Sequence, residues 1–368
     1  MESNDDQTSH MEVKRAVSKY FNAAQIESLP LDLSAPRFEP SKPSSEARRI
    51  RYERCRAATA IWDAANTRAG RLQALKNYQA ENTLADTTVA KLMGPFLYKA
   101  SNRLPLNEIE DALKKLGLYS EHNTVLSRFE KDKLDQEGYL NLGQLLNEEQ
   151  LVQMRRRYDI AIERDGNKPE NIGTRGIGRL VDTVVGPING DGLLDSIFLH
   201  PRLLAAVRHI LGTHFKFIGS NYHCALPGYG HQGIHADFLW GVKGAPLVVN
   251  AVWLIDEFTA ENGATRVVPR THRSGVHPTG DLVRGEPRDL NKSVEGEIKL
   301  TGAAGCCFVY NAHLWHGGTQ NCTNKLRRAQ HCFFGHSEIP SSTDVPYAIE
   351  KNVYSRMGQI ERAILDIK

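Results

Sequence analysis

After Gly212 the chain becomes a succession of short β-type runs, and this stretch constrains the fold more than any other. FKFIGSNYHCAL, PLVVNAVWLIDEF, ATRVVP, GCCFVYN and RRAQHCFF are rich in branched and aromatic residues. The turn-forming PGYG, AENG and HGGTQN separate them. Several short strands punctuated in this way suggest a sandwich or a jelly roll. Helical patterns dominate before Gly212, so the order is α+β, with helices bracing one face of a barrel. No internal repeat is visible.

Three regions follow from the pattern. Residues 1–45 are polar and carry Pro30, Pro36, Pro40 and Pro43, which reads as a tail or an extended wrap. Residues 46–124 read as a helical N-terminal region, a bracing layer on the barrel or, alternatively, a homodimer or partner surface. In it, Asn107 is placed as an N-cap, Ile109, Ala112, Leu113 and Leu116 share a helical face, and Gly117 is the stop. Residues 125–368 form the jelly-roll domain. There, Tyr139 to Leu142 alternate as a short strand, and Asn147 with Gln150 forms a capping box. Leu151, Met154, Tyr158 and Ile162 make the stripe of the helix that follows. A second helix runs from Pro201, at its first turn, to Gly212.

Composition excludes several functions. A net charge of +3 over 368 residues is too small to argue for nucleic acid. The clusters Arg48 to Arg56 and Arg155 to Arg157 read as solvated helix faces. No apolar run approaches the roughly 18 residues of a membrane span. The start MESNDDQTSH lacks an apolar signal core, and LDIK at the end is not a peroxisomal tripeptide. Six cysteines without a C-x-x-C pair read as buried thiols of a reducing cytoplasm.

The chemistry sits in the β region. His235 and Asp237 are one residue apart, so in a strand both side chains point to the same face and can reach one ion. The turn Pro227-Gly228-Tyr229-Gly230 would bring that strand end to a barrel mouth. Two imidazoles and a carboxylate leave half of an octahedral shell open, as non-haem Fe(II) needs for a co-substrate and O₂. His313 and His316 compete for the third position. His316 is followed by Gly317 and Gly318, where close approach is possible, and it stands eleven residues before Arg327; the residue eleven past His313 is Asn324. Arg327 and Arg328 face opposite sides of a strand, so only one can point inward. A guanidinium there suits a carboxylate through paired hydrogen bonds.

Three ordered segments carry a resemblance to a known family. GYGHQGIHAD at 228–237, WLIDEFTAENGATRVVPRTHRS at 253–274 and WHGGTQNCTNKLRR at 315–328 resemble motifs of the phytanoyl-CoA dioxygenase family of Fe(II)- and 2-oxoglutarate-dependent oxygenases. The resemblance covers roughly residues 125–340. It implies a double-stranded β-helix (jelly-roll, cupin-like) core and selects His316, with His235 and Asp237, as the iron ligands. It also implies that Arg327 binds the distal carboxylate of 2-oxoglutarate, with further co-substrate contacts from Gln232 and Thr265. Trp253 lines the same pocket or is core. Phe238, Leu239 and Trp240 are candidates for an apolar substrate wall. The usual P-G-S-H reads Pro269-Arg270-Thr271-His272 here, so Arg270 replaces a glycine.

The implied reaction is hydroxylation of a small organic substrate, a specialised metabolite or an acyl or amino-acid derivative, with release of succinate and CO₂. The carboxylate at Asp237 argues against halogenation, which needs a small residue there. Desaturation, cyclisation, epoxidation and endoperoxide formation are alternatives on the same iron. A catalytically silent ligand-binding barrel is the alternative of another class. Residues of the N-terminal region and of 275–300 are expected to form a lid.

Overall fold

The computed structural model describes residues 106–120, 124–165, 177–237, 246–274, 278, 293–336 and 349–367. The expected tail, the helices expected before residue 106, the Arg48 to Arg56 cluster and most of the 275–300 segment lie outside these residues. So do Phe238, Leu239 and Trp240.

Two antiparallel sheets form the centre. The larger is built from β1 (Tyr139–Gln144), β2 (Ile177–Val181), β3 (Phe215–Ala225), β4 (Val248–Leu254), β7 (Cys306–Asn311) and β9 (Arg327–His336), in the order β1-β7-β4-β9-β3-β2. The smaller has the order β6-β5-β8, with β5 (Thr265–Val268), β6 (Ile298–Lys299) and β8 (Trp315–Gly318). All pairings are antiparallel, and sequence neighbours are mostly split between distant positions. This arrangement is consistent with a jelly-roll core.

Strand periodicity decides what each face does. Every residue of β4 is buried, yet the strand serves two cores. Val249, Ala251 and Trp253 join Cys307, Val309, Cys332 and Phe334 in a large cluster shared with the helices. Val252 and Leu254 join Phe308, Tyr310, Val267 and Leu314 in a second cluster between the two sheets. An apolar run without alternation is therefore the signature of a strand covered on both faces.

Helices cover one face of the larger sheet. They are α1 (Leu106–Lys115), α2 (Arg128–Glu137), α3 (Glu148–Asp165), α4 (Asp195–Leu199), α5 (Pro201–Leu211), α6 (Lys351–Arg356) and α7 (Gln359–Leu365). Ile109 and Leu113 of α1 enter the shared core. Asn107 lies inside the first turn of α1 and not before it, so it is not the N-cap. At the other end, Leu118 N–H donates to Leu113 O at 2.8 Å across Gly117, which closes the helix. In α3, Asn147 and Gln150 exchange side-chain to backbone bonds of 2.9 and 3.0 Å, and Leu151, Met154, Tyr158 and Ile162 are buried.

One cap makes stability sensitive to pH. Ser127 caps α2, its backbone N–H donates to Glu130 Oε2 at 2.8 Å, and Glu130 also pairs with Arg202 of α5. Burial opposes ionisation of Glu130, but the two Ser127 bonds and Arg202 outweigh it and hold the carboxyl below its usual range. A lowered folded pKa gives stability above the ordinary carboxylate range that is lost as pH falls through the folded value. Glu130→Gln keeps the cap and removes the charge. It should cost about 1 kcal/mol at neutral pH, and urea denaturation curves of mutant and wild type should converge in acid.

Candidate metal and co-substrate site

The segment before Phe238 runs beside β8 and builds the site. His235 and His316 form a hydrogen-bonded pair across the two chains, with N–H to O distances of 2.8 Å in both directions. Gln232 N–H donates to Gly318 O at 2.8 Å, and Asp237 N–H donates to Ala312 O at 3.2 Å. The glycines of W-H-G-G are needed for this backbone approach. A Cβ at Gly318 would stand 2.4 Å from Gly230 O, and one at Gly317 would stand 2.8 Å from Gln232 O. The close approach expected there is therefore made by the neighbouring backbone.

The register brings three donors together. The His235 and His316 rings lie 4.4 Å apart between centroids. Asp237 Oδ1 is 3.7 Å from His235 Nε2, and Asp237 Oδ2 is 3.5 Å from His316 Nε2. One ligand atom from each residue lies within 4.8 Å of the others. His313, the competitor for the third position, is not in this group. Metal–nitrogen bonds of about 2.1 Å place neighbouring ligand atoms roughly 3 Å apart, so a small contraction would fit the group around one ion.

Neighbouring groups orient the donors. His235 Nδ1 is 2.9 Å from Gly233 O, and His316 Nδ1 is 2.8 Å from Leu314 O. A carbonyl accepts, so each Nδ1 carries a proton and each Nε2 faces the centre, where binding of a metal would displace any proton it holds. Asn250 of β4 donates its amide to Asp237 Oδ2. Burial works to raise the Asp237 pKa. His316, by charge and hydrogen bond, followed by His235 and Asn250, outweighs burial and holds the carboxyl well below its usual range. Burial would likewise lower His316, and Asp237 reverses the shift. The side chain of Asp237 keeps 37% exposure, so this charge sits at a mouth and not in a sealed interior. Asn250 was missed in the sequence; its signal was one amide in the otherwise apolar PLVVNAVWLI.

Arg327 begins β9 on the inner face and is 6% exposed. Its guanidinium lies 4.4 Å from the Phe258 ring centroid. Among the described residues it joins no ion pair, and its Nε has no hydrogen-bond partner. Burial lowers its pKa to about 10, so it remains cationic at neutral pH. Arg328 faces the other way and pairs with Asp256 at 3.1 Å and Asp159 at 3.5 Å. The turn between His316 and Arg327 is tied down by Asn321, whose amide donates to Ala225 O at 2.9 Å and Lys325 O at 2.7 Å.

The other candidates divide. Thr265 is buried on β5 opposite Gly318, on the face that carries Val267 and His316. Gln232 packs its side chain against Gly318, and its carbonyl accepts from Arg266 Nη2 at 3.2 Å. Trp253 is not brought to the site. It lies on the helix-facing side of β4, fully buried, with its ring 6.0 Å from that of His200. Strand alternation explains this placement, because Asn250 and Val252 occupy the inward positions. Arg270, in place of the family's glycine, keeps the left-handed backbone with φ 71°. Its N–H donates to Glu137 O at 3.0 Å and its guanidinium pairs with the Glu137 carboxylate at 2.7 Å, which offsets the strain.

The profile of the phytanoyl-CoA dioxygenase (PhyH) family matches residues 134–329, just over half of the chain and the span that holds all these groups. The chain belongs to the phytanoyl-CoA dioxygenase family. Dioxygenase olcK of Penicillium canescens is 31% identical over 172 residues, covering 43% of this chain and 53% of that protein. The Fe(II)/2-oxoglutarate-dependent dioxygenase nvfF of Aspergillus novofumigatus is 28% identical over 142 residues, 36% and 43% of the two chains. The chain spans about half the length of the curated relatives it matches. HygX from Streptomyces hygroscopicus, solved with nickel and 2-oxoglutarate, matches at TM-score 0.47 and 16% identity over 59% of this chain and 89% of HygX. Among the described residues no helix is long and apolar enough to cross a membrane.

Proposed function

We propose that this protein is a non-haem Fe(II)- and 2-oxoglutarate-dependent dioxygenase that hydroxylates a small organic substrate of specialised metabolism. On this reading the two sheets are a double-stranded β-helix, with His235, Asp237 and His316 as the metal ligands. Arg327 is the anchor of the co-substrate, and Thr265 and Gln232 flank it. The observation that carries the reading is the buried cation of Arg327, without a carboxylate partner among the described residues, on the inner face that also carries the donor triad. A buried, unpaired charge is costly unless a ligand completes it. The family's named relatives supply the identity of the metal and the 2-oxoacid.

The residues divide the work. The two Nδ1–H···O=C bonds fix the imidazoles before any ion arrives, so binding needs little reorganisation. Asn250 holds one oxygen of Asp237 and leaves the other toward the donor centre. Phe258 covers one face of the Arg327 guanidinium and leaves its edge for a bidentate carboxylate contact. Fe(II) bound here supplies the coupling of O₂ reduction to oxidative decarboxylation of 2-oxoglutarate, with succinate and CO₂ as products. Asp237 keeps a carboxylate in the coordination set, so no chlorinated product is expected.

Arg327→Leu tests the reading in two directions. The KM for 2-oxoglutarate should rise about thirtyfold, the worth of a charge-assisted hydrogen-bond pair. Without co-substrate the variant should melt at or above the wild-type temperature, because the unpaired buried cation is gone. A lower melting temperature with an unchanged KM would show that Arg327 is structural. Succinate release with Fe(II) and 2-oxoglutarate separates an enzyme from a silent binding module.

A further inference from the structure

The inner face of the larger sheet carries a second set of polar groups that the donor triad and Arg327 do not use. Arg179 of β2 stands directly across from His223 of β3, and Asn221 stands across from His331 of β9. The two imidazole rings are 4.5 Å apart between centroids. With the Asn221 amide turned to satisfy both its ends, its oxygen accepts from Arg179 Nη2 at 2.9 Å and its nitrogen donates to Ser220 O at 2.8 Å. The polarity is confined to this face, because the alternate residues Tyr222, Cys224, Cys332 and Phe334 belong to the helix-facing core. The rest of the face is largely apolar, since β4 and β7 present Val252, Leu254 and Phe308 inward, with Asn250 and Tyr310 beside the donor triad.

The polar part is a continuation of the site and it opens outward. His331 sits two strand positions from Ala329 and four from Arg327 on the same side of β9. Asn221, His223, His331 and Phe333 are half-buried, while Arg179 and Val181 on the edge strand are exposed, Val181 at 49%. The face therefore runs from the donor triad to solvent along β2.

Its charge count is specific. Burial pushes His331 down to about 3, with Arg327 adding to the effect, and burial with His331 pushes His223 well below its usual value. At neutral pH both rings are uncharged hydrogen-bonding groups. His223 Nε2 has no hydrogen-bond partner among the described residues. Burial lowers Arg179 and Asp182 raises it, and neither removes a guanidinium's charge at neutral pH. The face thus offers the Arg179 cation, with the Asp182 carboxylate near it, beside two neutral imidazoles. A guanidinium already sharing its charge with a carboxylate suits a monoanion better than a phosphate dianion.

We infer that this face is the subsite for the primary substrate and that the substrate carries a carboxylate, held by Arg179 with His223 and His331 beside it. The inference rests on the dioxygenase reading for the role of the neighbouring centre. Arg179 and Arg327 divide two carboxylates, one from each reactant, and Arg179 is the residue that sets substrate class.

The test is anaerobic calorimetry on the full chain with Fe(II) and saturating 2-oxoglutarate. The probes are a panel of aliphatic and aromatic monocarboxylic acids, each matched with its primary amide. Wild type should bind at least one acid about tenfold or more tightly than its amide. Arg179→Gln should lose that preference, and Arg179→Lys should retain part of it. Arg179 lies on an exposed edge, so both variants should fold, which circular dichroism checks. Equal binding of acids and amides by wild type, or an acid preference that survives Arg179→Gln, overturns the inference. The visible charge-transfer band of the Fe(II)–2-oxoglutarate complex is read on the same samples. Its absence in wild type would refute the dioxygenase reading, and the calorimetry would still decide whether the acid subsite exists.

Discussion

In His316→Ala, bound Fe(II) and 2-oxoglutarate-dependent succinate release should both fall by more than about a hundredfold. Losing an outer partner of a metal ligand already costs about ten- to a hundredfold in affinity or activity, and removing one of three donors costs more. The fold should survive. The backbone pairing of His316 with His235, 2.8 Å in each direction, and the pairing of β8 with β5 do not involve the ring. Leu314 O loses the Nδ1–H at 2.8 Å and Asp237 loses its contact at 3.5 Å, neither of which belongs to the strand pairing. Iron by equilibrium dialysis, succinate by coupled assay and thermal melting separate loss of metal from loss of fold. His313→Ala is the control, because His313 is buried in the same turn but outside the donor group. Iron lost in His313→Ala and kept in His316→Ala would refute the assignment.

That control restates an ambiguity in the sequence. His316 stands three positions after His313, and side-chain chemistry alone does not choose between them. The choice depends on pairing across chains: β8 presents His316 opposite His235, while His313 lies in the preceding turn. Local patterns read well where the chain's own periodicity decides. The Asn147–Gln150 box, the α3 stripe and the Pro201 start of α5 need only neighbours within a few residues. The opposite faces of Arg327 and Arg328 follow from strand alternation, and their partners agree. The roles of Asn250, Asn221 and His223 do not follow from the chain's own periodicity. Each lies within a β-run, and its meaning appears only when register places it beside a group far away in sequence. Arg270 shows the converse case. The sequence marks it as a departure from a glycine, but only the contact with Glu137 shows how a non-glycine residue holds φ 71°.

Trp253 shows how one register step changes a role, and its mutants should be defective in stability and not in co-substrate binding. The indole is fully buried in the helix-facing cluster, beside His200 and among Val249, Ala251 and Cys307. Trp253→Ala removes a large side chain from a packed region that cannot close around the gap, a change worth about 3–5 kcal/mol. That is a large fraction of the stability of a typical domain, so urea midpoints should fall steeply and expression should suffer. Trp253→Phe should be milder, because it keeps an aromatic ring. It also deletes an indole N–H that has no hydrogen-bond partner among the described residues. The KM for 2-oxoglutarate in Trp253→Phe should stay within about twofold of wild type, since Asn250 and Val252 hold the inward positions of β4. A Trp253→Phe protein with unchanged stability and a KM raised tenfold or more would instead place the indole in the pocket and overturn the register argument for this strand.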